Sequence, residues 1–170
     1  MQALYKDSGL KMSGRVISRY LDPVTLEPIP GTEQIDENMV VDIGAVAIAA
    51  WLANSTPKAA GAFKYMALGS GATAAAHGQT ALVAEYTGVG VYVRVSGTQS
   101  VQAEGSNGNK VYQVVATFAA STGMVAVAEL ALFDQLAVGG SMLNRLVLSP
   151  VRDNLNNTVE YTYQLTIAPA

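Results

Sequence analysis

Residues 159–167 read Val, Glu, Tyr, Thr, Tyr, Gln, Leu, Thr, Ile, an unbroken alternation of apolar and polar side chains. A period of two commits a segment to the β-strand, because successive side chains point to opposite faces and one face is buried. Val159, Tyr161, Tyr163, Leu165 and Ile167 are expected to face a core, and Glu160, Thr162, Gln164 and Thr166 solvent. Residues 89–96 repeat the pattern, with Val89, Val91, Val93 and Val95 on one face. Runs at 110–119 and 124–133 flank Ser121-Thr122-Gly123, a turn composition, and a run at 142–149 follows Gly139-Gly140. Residues 63–68 form a shorter, mixed run.

One segment, 43–54, carries a helical period. Ile43, Val46, Ala47, Ala50 and Trp51 fall at i, i+3, i+4, i+7 and i+8. Asp42 suits the N-cap, and Asn54-Ser55-Thr56-Pro57 stops the helix. Trp51 is expected to anchor the core. A parallel α/β fold needs a helix between most strands. The pattern therefore predicts a mainly β chain: an antiparallel, jelly-roll-like β-sandwich with one packed α-helix.

The N-terminal part reads differently. Lys6, Lys11, Arg15 and Arg19 make the first nineteen residues basic. From Asp22 to Asp42 the sign reverses, with six acids, Pro23, Pro28, Pro30 and no Lys or Arg. Proline favours extended chain and removes donors. Residues 1–40 are thus expected to form an extended arm, with one short strand at 14–21 and a Pro-rich acidic loop. The sandwich then occupies 41–170. A lone strand with unpaired edges calls for a partner sheet, so the arm is expected to dock on a neighbouring subunit. Lys6, Lys11, Arg15, Arg19 and Tyr20 are its candidate partner-binding residues.

At 170 residues the chain has the length of one domain. Charged residues make up 14% against about 25% in average domains, and hydrophobic ones 50%, which points to apolar surface hidden against partners. There is no cysteine, which excludes disulfides, thiolate catalysis and Cys-based metal sites. The single histidine, His77, excludes a multi-histidine metal site within one chain. A net charge of −3 gives no electrostatic case for nucleic acid binding. The first seven residues lack the apolar core of a signal peptide, so no secretion signal is expected. Residues 44–53 are too few to span a bilayer, and 111–128 are broken by Gln113, Thr117 and a turn, so no membrane span is expected either.

The motifs that could carry chemistry are weak. Gly69-Ser70-Gly71-Ala72-Thr73-Ala74 matches a dinucleotide fingerprint, but Gly78 interrupts the helix it needs, so it reads as a loop between strands. His77 reads as a loop histidine. Glu129, inside an apolar run, is costly to bury unless it is paired, with Arg145 or Arg94, or turned to solvent. A catalytic acid there would need a second group, for which Glu85 and Asp134 are the candidates. Asp153-Asn154-Leu155-Asn156-Asn157 lacks the third calcium ligand and reads as a hairpin loop. No catalytic residue, metal site or cofactor is expected.

Five segments in order resemble a group of tailed-bacteriophage virion proteins: capsid decoration, or cement, proteins and the attachment domains of tail-collar fibres. They are Asn38-Met39-Val40-Val41-Asp42-Ile43-Gly44, the stretch 65–73 (Tyr-Met-Ala-Leu-Gly-Ser-Gly-Ala-Thr), Thr80-Ala81-Leu82-Val83-Ala84-Glu85, Glu129-Leu130-Ala131-Leu132-Phe133-Asp134, and the stretch 139–145 (Gly-Gly-Ser-Met-Leu-Asn-Arg). Ala131 stands where the group's Glu-x-Gly-Leu-Phe-Asp segment has glycine. The resemblance covers roughly 38–167 and implies a non-enzymatic β-sandwich that assembles on a phage particle. Its partners are then the major capsid protein or other virion proteins and further copies of itself, not nucleic acid or membrane. Its place is the virion, at the capsid surface or the tail. A fibre protein continues into a shaft, so a small module with an N-terminal arm is expected to be a decoration protein. The alternatives are a tail, collar or baseplate adaptor, and a carbohydrate-binding module using Tyr86, Tyr92 and Tyr112.

Overall fold

The computed structural model describes residues 11–52, 63–87, 93–104, 109–121, 126–153 and 156–168. Its elements are β1 (Lys11–Leu21), β2 (Gln34–Val40), α1 (Asp42–Leu52), β3 (Tyr65–Gly69), β4 (Val95–Ser96), β5 (Thr98–Glu104), β6 (Asn109–Phe118), β7 (Ala126–Phe133), β8 (Met142–Asp153) and β9 (Thr158–Ala168). They build two packed antiparallel sheets, one ordered β2-β1-β9-β6-β5 and the other β4-β3-β7-β8-β2. The chain is mainly β, and the sandwich read from the period-two runs is the observed architecture. No helix among the described residues is long and apolar enough to cross a membrane.

The two sheets join at both corners. Strand β2 pairs with β1 through Ile35↔Ile17 and then with β8 through Val40↔Asn144. At the other corner only Gly97 separates β4, which pairs with β3, from β5, which pairs with β6. A Cβ on Gly97 would lie 2.4 Å from Val114 Cγ1 and 2.9 Å from the Val115 carbonyl oxygen, so the bend depends on a bare backbone. The strand order thus runs without a break from β4 through both sheets to β5, which leaves β4 and β5 as its two edge strands.

The pairing of β1 within its own chain corrects the expected arm. Residues 11–21 are an interior strand, paired along their whole length with β9 of the same chain and on the other side with β2. Val16 is fully buried and Leu21 nearly so. The segment read as an acidic loop contributes β2, and the expected boundary near residue 40 does not divide the fold. The misreading has a physical source. Inward positions of β1 include Gly14 and Ser18, and those of β2 in register with them are Gln34, Asp36 and Asn38, so neither strand alternates by hydropathy. Gly14 leaves its space to Asn38, whose Oδ1 would lie 1.6 Å from an added Cβ.

The helix falls where expected, but its buried face differs. Gly44 is buried, and a Cβ there would meet the Leu143 carbonyl oxygen at 2.1 Å, so the first turn lies directly on β8. Ile48, one turn on, packs on the core, whereas Val46, expected in the stripe, is 65% exposed. The side chains of Ile43, Ala47, Ala50 and Trp51 lie outside the described residues, as do Asn54 to Pro57, Val89 to Tyr92, Thr122-Gly123 and Asn154-Leu155.

The main core fills the space between the sheets, with Val16, Met66, Leu68, Val114, Phe118, Leu130, Leu132, Tyr161, Tyr163 and Leu165. Phe118 and Tyr161 meet edge to face at 5.7 Å. A second cluster, Val41, Ala67, Leu82, Ala131, Phe133 and Met142, lies on the opposite face of the β3-β7-β8 sheet. The connection 70–87 supplies Leu82 to it. With both faces covered, every residue of β7 after Ala126 is buried, which is why this strand shows no alternation.

Candidate functional site

The covered face of the β3-β7-β8 sheet gathers the ionisable residues that the sequence singles out. Glu129 on β7 and Arg145 on β8 are both fully buried, and Arg145 Nε donates to Glu129 Oε2 at 2.7 Å. Of the two partners considered for Glu129, the structure selects Arg145. Burying both charges is tolerable only if their remaining hydrogen-bonding capacity is met. The 70–87 connection meets it. Backbone amides of Ala84 and Gly71 donate to Glu129 Oε1 at 2.7 and 3.2 Å, and that of Val83 to Oε2 at 3.1 Å. Arg145 NH1 donates to the Thr73 carbonyl at 2.8 Å and to Gln79 Oε1 at 3.2 Å.

The glycine pattern at 69–74 therefore does cradle an anion, but the anion is the chain's own carboxylate. A Cβ on Gly69 or Gly71 would come within 2.6 Å of Glu129 Oε1, so both glycines are required for the close approach. No helix follows β3 within the described residues, as a dinucleotide site would need. His77 lies on the same connection, largely exposed, with Nδ1 3.9 Å from Asp42 Oδ1. Its carbonyl accepts the Asp42 amide at 2.9 Å, which ties the connection to the start of α1.

Beside this pair lies a second one. Arg94 Nε and NH2 donate to the two oxygens of Glu85 at 2.6 and 3.0 Å. The guanidinium lies 3.5 Å over the Phe133 ring, and NH1 donates to the carbonyls of Gln135, Ala137 and Gly139. Arg94 thus fixes the β7–β8 connection. Asp134, the other candidate acid, accepts the Ser141 amide at 2.8 Å. A cleft of about 570 Å³ opens above Arg94, with Val93, Leu136 and Val138 on its walls. The sequence carried one sign of it, an apolar Leu136-Ala137-Val138 run inside a connection ending in two glycines.

The candidate partner-binding residues lie elsewhere, on the β1-β9-β6 sheet. Arg15 Nε donates to Gln164 Oε1 at 2.7 Å, and Arg19 Nε to Glu160 Oε1 at 2.8 Å, both partners on β9. The Tyr20 ring faces the Arg152 guanidinium at 5.0 Å. Lys6 and the side chain of Lys11 lie outside the described residues.

Chemically, the two ion pairs are closed. Glu129 and Arg145 have no solvent-facing atom, so neither can exchange a proton with a bound substrate. Among the described residues no three His, Asp or Glu side chains gather as metal ligands would. The cleft beside Arg94 offers apolar walls, and that arginine donates to Glu85 and to the backbone carbonyls of Gln135, Ala137 and Gly139. Comparison with protein-family models, curated proteins and solved structures finds no match to this chain.

Proposed function

We propose that this chain is a non-enzymatic structural protein of a phage virion, a capsid decoration protein that reinforces a shell through subunit contacts. One observation supports the reading above others. The segments that carry the resemblance, though scattered in sequence, converge in space: 65–73 and 80–85 wrap the Glu129–Arg145 pair supplied by 129–134 and 139–145. These segments therefore build a scaffold around Glu129 and Arg145, whose charges are turned inward and paired. Several large apolar side chains face outward, among them Val24, Leu26, Leu136 and Val138. Such a surface fits a protein whose partners are always at hand, and many weak contacts in a lattice add up.

A tail, collar or baseplate adaptor is the second reading, favoured by apolar features at the two ends of the sandwich. Quantitative mass spectrometry of purified particles tests both. A copy number on the scale of the shell lattice supports decoration, and that of a single ring supports the adaptor. Absence from particles removes both.

A further inference from the structure

Two apolar features of this chain lie at opposite ends of the sandwich. The β1–β2 connection, 22–33, leaves β1 at Leu21, which pairs with Thr158 at the start of β9. The cleft wall, 134–141, joins the end of β7 to the start of β8. Following the registers from β1 through β2, β8 and β7 puts Leu21 level with the start of β7 and Phe133 at the far end. One end projects a knob and the other holds a recess.

The knob is built to hold its shape. Asp22 Oδ1 accepts the amides of Val24 and Thr25 at 2.9 and 2.8 Å, and these bonds hold its carboxyl below the usual range. Leu26 N donates to the Asp22 carbonyl, and Ile29 N to the Tyr20 carbonyl, each at 2.9 Å. At the base, Arg152 NH2 donates to the Ser18 and Thr32 carbonyls at 2.7 Å. Leu26 sits at φ 57°, a region that side chains other than glycine avoid. This rigid frame displays Val24, 88% exposed, together with Leu26 and Ile29. Preorganised apolar groups lose little entropy on docking.

The recess complements it. Its walls, Val93, Leu136 and Val138, are exposed and apolar, while Arg94 beneath is neutralised by Glu85. Charge agrees in sign. The knob is flanked by Asp22, Glu27 and Glu33 with no cation between Arg19 and Lys58. At the recess end Lys64 and Lys110 form no ion pair with a described residue, while the acids there are engaged, Asp134 by the Ser141 amide and Asp42 beside His77.

We infer that the recess beside Arg94 receives the Val24–Leu26–Ile29 knob of a second copy of this chain, so that copies associate head to tail. The contact is heterologous, and it propagates as a row or closes into a ring. It holds whichever larger particle hosts the chain, so its failure and that of the virion reading are separate results.

Sedimentation velocity of the full chain over rising concentration should show association that continues beyond a dimer. Leu26→Asp in the knob and Val138→Asp in the recess should each weaken association at least about tenfold, the factor expected from losing one buried apolar anchor. Leu26→Gly, which suits φ 57° and deletes the side chain, should do the same without loss of thermal stability. Mixed in equal amounts, L26D and V138D should form a dimer that does not grow, since one retains a recess and the other a knob. A parent chain that is monomeric throughout, a mixture that stays monomeric, or an L26G chain that associates like the parent overturns the inference.

Discussion

The two sheets treat charge in opposite ways. On the β3-β7-β8 sheet the connection 70–87 covers the outer face, and the pair beneath it, Glu129–Arg145, is fully buried. On the β1-β9-β6 sheet the outer face carries Arg19–Glu160, side chains 36% and 18% exposed, and the ladder Arg15–Gln164–Gln113. Both are cross-strand pairs on antiparallel neighbours. A covering segment alone changes what each is worth. Without a cover, water competes for every hydrogen bond and the pair adds little. With one, the pair becomes the anchor that holds the cover, because Glu129 satisfies backbone amides at Gly71, Val83 and Ala84 that would otherwise be stranded.

The largest effect should come from cutting that anchor. Glu129→Leu leaves Arg145 buried and unpaired, and such a break costs about 3–5 kcal/mol. Urea unfolding should show that loss, and limited proteolysis should show early cleavage within 70–87. The contrast between the faces fails if Glu129→Leu melts like the parent. Next comes Gly71→Ala, whose Cβ would lie 2.6 Å from Glu129 Oε1 and 2.7 Å from Val83 Cβ. Overpacking of this kind costs about 1–3 kcal/mol, and here it should loosen the same connection.

How much of this was legible before the structure depends on which face a strand shows to water. Strand β9 has one largely open face, so its alternation announced its five inward residues, although Thr162, expected to face solvent, is buried. Strand β7 has none, and its apolar run hid its orientation, although Glu129 in that run flagged a buried partner. Strands β1 and β2 were hidden for another reason. Their inward positions hold Gly14, Ser18, Asp36 and Asn38 near a corner, so charge and proline dominated the reading and suggested an arm. The cover was illegible in principle. Nothing in the spacing of Gly71, Val83 and Ala84 says that their amides converge on a carboxylate 45 to 58 residues away.

Within the shared core the difference between covered and open chemistry can be titrated. Tyr163 on β9 is fully buried, its hydroxyl beside the Asn38 amide but outside hydrogen-bond geometry. Burial pushes its phenol well above the ordinary value, and Tyr112 shifts upward for the same reason. The unfolded chain therefore loses these protons first. Stability from both groups is intact below about pH 10 and falls as pH rises beyond it. Thermal melts from pH 8 to 11 should show that decline, and Tyr163→Phe should flatten it. At neutral pH the same substitution removes a hydroxyl without a partner, so stability should change by less than about 1 kcal/mol. An unchanged alkaline slope would mean that Tyr163 ionises freely and is not sealed in the core.

The smallest effect belongs to the open face. Glu160 meets Arg19 across the β9–β1 ladder at Glu160↔Arg19, where the two residues are direct neighbours. Glu160→Gln keeps the size of the side chain and an acceptor oxygen for Arg19 Nε while deleting the charge. Arg19 remains partly in water, so it pays no desolvation cost when its partner is neutralised. The expected change is below about 1 kcal/mol and shrinks further in salt, since exposed pairs are screened. The parallel Glu129→Gln keeps the same two features, yet it should cost several times more, because Arg145 has no water to turn to. If the two Gln substitutions have equal effects, the 70–87 connection does not exclude water from Arg145, and the difference between the faces lies in packing alone.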